Sequence, residues 1–264
     1  MAVEPTPVSV SGGEWTPLIY RSGSGQPLLY LHAAGGMGRG FTPDLQALAE
    51  SYEVIAPVLP GWDDTEGLQK IDDIHDMMFF LQDLAEALGL KAPFNIMGHS
   101  LGGMFAAEFA AARPDLVNKL VLVCPAGVWL DEQPMPDLFT ALPPELPGLL
   151  FGDLSNPIIG ELFKPPANED ELADAMYHQL ANFAAAGKFM WPIPDKGLKK
   201  RFHRIKAPIL ILWGESDRLI PPAYGQVFAK NIAKSQLVTI PGAGHMLPLE
   251  KTPEYAAEVR AFLG

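Results

Sequence analysis

Six short runs in this chain are apolar almost without a break: PLLYLH at 27–32, YEVIAPV at 52–58, PFNIMG at 93–98, KLVLVC at 119–124, PILILWG at 208–214 and QLVTIPG at 236–242. A strand wet on one face alternates apolar and polar residues; near-continuous apolarity over five or six positions means burial on both faces, the habit of a parallel sheet covered by helices. Between the runs the period changes. Ile74, Met77, Met78, Leu81, Leu84, Ala85 and Leu88 recur at helical spacing and predict a helix over 72–88. A second helix is expected over 101–112, stopped near Arg113 because Pro114 disfavours helical geometry in the residue before it. Strand and helix alternate, so the expected class is α/β, a mostly parallel central sheet flanked by helices.

The rhythm breaks between about 128 and 200. Ten of the 26 prolines fall between Asp131 and Asp195, and no strand-like run occurs there beyond brief apolar patches. One helix is expected inside it, over 169–186. Asn168 can cap it, Glu169, Asp170 and Glu171 suit the positive end of its dipole, and Gly187 can end it. Leu172, Met176, Leu180 and Phe183 would form its apolar stripe. The expected organisation is a core made of 1–127 and 201–264, with 128–200 inserted as a helical lid over a site at the strand ends, because a break of this length in a sheet's rhythm is usually functional.

Composition narrows the function. Of the 264 residues, 48% are hydrophobic and 19% charged, enough for a full core. Nineteen basic against thirty-one acidic residues give a net charge of −12, which repels nucleic acid and anionic lipid alike. A single cysteine, Cys124, excludes an internal disulfide and fits a reducing compartment. No signal peptide or 20-residue apolar span is visible, so a cytoplasmic protein is expected. Neither a metal-ligand spacing such as H-E-x-x-H nor a dinucleotide G-x-G-x-x-G in its strand–helix setting occurs, so no metal and no cofactor are expected.

The candidate chemistry sits in NIMGHSLGGMF, 95–105, where a buried run meets a helix at Gly98-His99-Ser100-Leu101-Gly102. A strand, then G-x-S-x-G, then a helix is a turn so tight that only small residues fit around the serine, which projects its hydroxyl above the sheet edge. The Leu101 N–H, at the helix start, faces any negative charge that develops there. A serine hydroxyl needs a base, and the base needs an orienting group. Asp217 follows the strand in WGESDRLIPP, with Glu215 a rival acid, and His245 lies on the Gly-rich loop of IPGAGHMLPLE, after the last strand.

With LLYLHAAGG, GHSLGG, LWGESDRLIP and PGAGHMLPLE in this order, the chain resembles the α/β-hydrolase family over nearly its whole length. The resemblance implies Ser100 as nucleophile, His245 as general base and later acid, and Asp217 as orienting carboxylate. The family's loop after the third strand begins His-Gly-X, the amide of X completing the oxyanion hole; here it reads His32-Ala33-Ala34, so Ala34 N–H takes that role beside Leu101 N–H. An alanine at 33 departs from the family's glycine.

A serine, an imidazole and two amides suit attack on a carbonyl and an acyl-enzyme released by water. Hydrolysis of a small to medium hydrophobic carboxylic ester is expected. Trp129, Phe139, Phe183 and Trp191 of the insert, with His32, His99 and Met246, are the candidate substrate contacts. The stretch LVCPAGVW is similar to enzymes that cleave a carbon–carbon bond in a vinylogous diketone, though these carry an aromatic residue where this chain has Met246. Lactonase or perhydrolase activity, and a small-molecule receptor on the same fold, are the other readings. Oligomeric state is not legible.

Overall fold

A computed structural model describes residues 3–264. Eight strands form one sheet: β1 (Thr6–Pro7), β2 (Leu18–Ser22), β3 (Gln26–Leu31), β4 (Tyr52–Pro57), β5 (Phe94–His99), β6 (Val117–Val123), β7 (Ile209–Gly214) and β8 (Ser235–Ile240). Their order is β1-β2-β4-β3-β5-β6-β7-β8. β2 runs antiparallel to β1 and β4, and every later pairing is parallel. All six predicted runs are strands, so the α/β reading holds. β1 and β2 were not foreseen: β2 reads LIYRS and buries only Ile19, as befits a margin wet on one side.

The helices are α1 (Pro43–Ala49), α2 (Ile74–Ala87), α3 (Leu101–Ala112), α4 (Leu146–Leu150), α5 (Ile158–Leu162), α6 (Glu169–Met190), α7 (Ala223–Asn231), α8 (Leu247–Glu250) and α9 (Thr252–Leu263). Asp73 caps α2 by accepting from the His75 and Asp76 backbone N–H groups. In α3, eleven of twelve residues are buried, including Phe105 and Phe109, which locks this helix onto the sheet. Among the described residues, no helix is long and apolar enough to cross a membrane.

Between β6 and β7 the chain forms α4, α5, α6 and two 3₁₀ helices, Pro143–Glu145 and Leu198–Arg204, with no strand. Arg201 of the second 3₁₀ helix reaches back to α3, its Nε 2.7 Å from Oε2 of the buried Glu108. Asn168 caps α6 as expected, accepting from Glu171 N–H at 2.9 Å. Two expectations for α6 need correction. Gly187 does not end it; the helix runs to Met190 and stops because Trp191, extended at φ −83° and ψ 143°, precedes Pro192. Nor is Leu172, Met176 and Leu180 an inward stripe: these side chains are exposed, and the buried face is Asn182, Ala185, Ala186 and Phe189. Only the C-terminal half of α6 rests on the body, so the apolar residues of the other half have nothing to cover them.

Register brings the loops together. Leu31 pairs with Gly98, so the loop beginning at His32 and the turn at Ser100 leave the sheet side by side. Gly214 pairs with Ile240, which does the same for the loops carrying Asp217 and His245. All four emerge at the carboxyl ends of parallel strands, where open α/β sheets collect their ligands.

Candidate active site

Ser100 joins β5 to α3 at φ 55° and ψ −116°, a left-side conformation that a residue with a side chain adopts at a cost of about 1–3 kcal/mol. The surroundings hold it there. Its N–H donates to Val123 O at 2.9 Å, and its carbonyl accepts from Met104 N–H and Ala126 N–H at 3.1 and 3.0 Å. The turn needs glycine on both sides: a Cβ at Gly98 would run into the Gly102 backbone, and one at Gly102 into the Leu31 carbonyl.

The His245 Nδ1 lies 2.8 Å from Asp217 Oδ2. Oδ1 of Asp217 accepts from Leu219 N–H and Ile220 N–H at 3.0 and 2.8 Å, so the carboxylate is oriented by backbone on one side and presents its other oxygen to the ring. Glu215, the rival acid, is exposed and accepts from Gly242 N–H at 3.2 Å. Asp217 and His245 are almost wholly out of water, with side-chain exposures of 0% and 3%. Among the described residues, no hydrogen bond joins Ser100 Oγ to the imidazole. Such contacts are often loose in unliganded enzymes and tighten when substrate binds.

The neighbouring histidines hold the frame. His99 Nε2 donates to the His245 carbonyl at 2.9 Å, and the two rings lie 5.1 Å apart. Burial, reinforced by the facing His245, pushes His99 down to about 3, so this ring is neutral. His32 Nε2 accepts from Leu59 N–H at 3.1 Å, which leaves Nδ1 as the donor to Ala33 O at 2.8 Å. Both ring nitrogens of His32 are spent inside the protein, none being left for a substrate. Burial lowers its pKa as well.

The amides of Leu101 and Ala34 have no backbone partner among the described residues. The peptide that carries Ala34 N–H is fixed from behind, since Ala33 O accepts from His32 Nδ1 and from Gly36 N–H. The next carbonyl, Ala34 O, accepts from Trp62 Nε1 at 2.8 Å. Alanine at 33 therefore leaves the loop well determined.

Cys124, Asp217 and His245 bring potential metal-ligand atoms within 4.8 Å of one another. The His245 Nδ1 and Asp217 are already bonded to each other, however, and burial, with the nearby Asp217 charge, pushes the Cys124 thiol well above its usual value. A protonated thiol donates to a carboxylate rather than ligating a metal.

The aromatic candidates of the insert gather with one another. Phe139 meets Phe183 and Trp191 edge to face, with ring centroids 5.8 and 6.3 Å apart, and Trp191 is half exposed. Trp129 instead turns to Asp131, its Nε1 donating to Oδ1 at 3.0 Å. Met246, half-buried, is tied to α4 by its N–H, which donates to Leu150 O at 2.8 Å.

Three positions escaped the sequence reading. Trp62 and Asn182 hold the loop after β3, and Glu250 holds the loop of His245: its carboxylate accepts from Gly244 N–H at 2.7 Å and from Gly152 N–H at 2.8 Å. Of these, only Asn182 left a signal, a polar residue in register with Ala185, Ala186 and Phe189 on one helical face.

Comparison with known proteins shows the family and the fold. Residues 28–259 match the model of the alpha/beta hydrolase family. Lipase 1 of Psychrobacter immobilis is 27% identical over 90% of this chain and 77% of its own. A 2-hydroxy-6-oxononadienedioate/2-hydroxy-6-oxononatrienedioate hydrolase of Comamonas testosteroni is 28% identical over 85% of this chain and 82% of its own. The crystal structure of a membrane phospholipase A superposes with a TM-score of 0.80 at 23% identity, covering 99% of this chain and 86% of that one, a likeness of fold.

Proposed function

We propose that this chain, which belongs to the alpha/beta hydrolase family, hydrolyses carboxylic esters of small to medium hydrophobic substrates with Ser100, His245 and Asp217. The observation that carries the reading is the buried 2.8 Å hydrogen bond between His245 and Asp217, beside a serine held at φ 55°.

In the proposed mechanism the ester carbonyl enters beside Ser100 with its oxygen toward the Leu101 and Ala34 amides. His245 Nε2 takes the hydroxyl proton as Oγ bonds to the carbonyl carbon, and Asp217 stabilises the imidazolium that forms. The two amides donate hydrogen bonds to the oxyanion, in a buried site where such donors act most strongly. The imidazolium then gives its proton to the departing alkoxide, leaving an acyl-enzyme. Water, deprotonated by the same imidazole, attacks the acyl carbon; the bond from that carbon to Oγ breaks, the imidazolium returns its proton to Oγ, and the carboxylic acid leaves.

The segment 128–200 acts in this reading as the lid. Its aromatic cluster of Phe139, Phe183 and Trp191 supports an apolar acyl or alcohol group as the preferred cargo. The lipase relative supports the same ester chemistry.

A second reading, hydrolysis of a carbon–carbon bond in a vinylogous diketone, is favoured by the Comamonas relative and by LVCPAGVW. Initial rates on p-nitrophenyl esters of increasing acyl length, beside a 2-hydroxy-6-oxo-hexadienoate, separate the two. Ester turnover that rises with acyl length, with negligible dienoate cleavage, supports the first; the opposite ratio supports the second and removes the first.

A further inference from the structure

Asn182 stands on the buried face of α6, in the segment between β6 and β7, and is 5% exposed. Its Nδ2 donates to Gly35 O at 3.0 Å and to Asp63 Oδ1 at 2.8 Å, while its Oδ1 accepts from Asp63 N–H at 2.9 Å. A primary amide offers two donors and an acceptor with two lone pairs, so nearly all of its capacity is committed to two loops of the core. The other carboxylate oxygen of Asp63 accepts from Met37 N–H. Two side chains from distant parts of the sequence thus bracket residues 35–37.

Between them lies Gly36, at φ 77°. A Cβ there would sit 2.8 Å from Asp63 Oδ1 and 2.9 Å from Asn182 Nδ2, so the bracket closes directly on the Gly36 backbone. Gly36 N–H in turn donates to Ala33 O at 3.0 Å. That carbonyl shares its peptide plane with Ala34 N–H, and in a trans peptide the two point in opposite directions. Whatever fixes Gly36 therefore fixes the aim of the Ala34 amide.

A second contact keeps the helix seated. Phe189, seven residues on and on the same face, stacks on Trp62 with ring centroids 6.4 Å apart and meets Phe105 of α3 edge to face at 5.0 Å. Trp62 is the residue whose indole holds Ala34 O.

The geometry points to Asn182 as a positioning residue that aims the Ala34 amide, so that α6 sets the oxyanion hole from outside the core. This rests on the serine-hydrolase reading. A residue that acts this way alters the transition state more than the bound substrate.

The test uses the full chain as wild type, Asn182→Ala and Asn182→Asp, the last keeping size and acceptor but losing the donors to Gly35 O and Asp63 Oδ1 and setting a second carboxylate beside Asp63. The readouts are kcat and KM on p-nitrophenyl butyrate, the inhibition constant of an alkyl trifluoromethyl ketone, whose serine adduct carries an oxyanion, and the melting temperature. Folded variants are expected to lose about tenfold in kcat and a similar factor in ketone affinity, with KM within about twofold, a smaller loss than deleting a donor outright. Folded variants that match the wild type in kcat and ketone affinity overturn the inference while the hydrolase reading stands. So do variants that shift KM alone. If Asn182→Ala does not fold, Asn182→Asp decides by the same criteria. A wild type that neither turns over the ester nor binds the ketone overturns both.

Discussion

His99 Nε2 donates to the backbone carbonyl of His245 at 2.9 Å, tying the residue before the candidate nucleophile to the candidate base across 146 positions of sequence. The bond joins the end of β5 to the loop after β8, and His99 makes it as a neutral ring. It ties the backbone of His245 to the residue that precedes the Ser100 turn. Misplacing a reacting group by an ångström costs about a hundredfold in rate. Replacing His99 by Leu, which fills the space without a donor, is expected to lower kcat on an ester by about ten- to a hundredfold while KM stays within about twofold. Steady-state kinetics check it, and an unchanged kcat removes His99 from any positioning role.

The same ring makes the fold sensitive to acid. In the unfolded chain His99 takes up a proton at its ordinary value of 6.5, while in the fold burial holds it down to about 3. Between those limits the unfolded state binds more protons, so stability is full above 6.5 and is lost as pH falls toward 3, with a slope of up to about 1.4 kcal/mol per pH unit from this group. His32, lowered by its own burial, acts in the same direction. Urea unfolding at stepped pH is expected to show the decline, and His99→Gln to make it shallower. Equal slopes for the two proteins contradict the assignment.

The segment between β6 and β7 is held to α3 by charge, as it is held to the loop after β3 by Asn182. Glu108 is buried on α3 and its carboxylate faces Arg201, whose own pKa is raised chiefly by their hydrogen bond. Removing the arginine leaves the carboxylate buried without a partner, which typically costs about 3–5 kcal/mol. Arg201→Met is expected to lower stability by about 3 kcal/mol or less, since the arginine is partly wet, and Glu108→Gln/Arg201→Met to recover much of it. Chemical denaturation of the three proteins checks the order; equal midpoints show that the pair contributes nothing.

Most of the frame was written in the apolar runs. Strands buried on both faces announce themselves, and six did; β2 did not, because a margin that buries Ile19 and leaves Arg21 wet has no continuous run to show. The loops that bring Asp217 to His245 were legible from the turns around them, and so was the Asn168 cap. What failed was the orientation of α6. Its richest apolar spacing lies in the half that stands away from the body, while the half that docks does so through small residues, Ala185 and Ala186, one ring and one amide. Contacts such as Asn182 with Gly35, or Glu250 with Gly244, join loops far apart in sequence and follow from packing that no local pattern encodes.

The account depends on Ser100 being an activated nucleophile, and covalent labelling reads this directly. Incubation of the intact protein with an alkyl fluorophosphonate, followed by proteolysis and mass spectrometry, is predicted to place one adduct on the peptide containing Ser100, at a rate that falls sharply in His245→Ala and vanishes in Ser100→Ala. Absence of any adduct on the folded protein, or an adduct on another residue with Ser100 untouched, would contradict it.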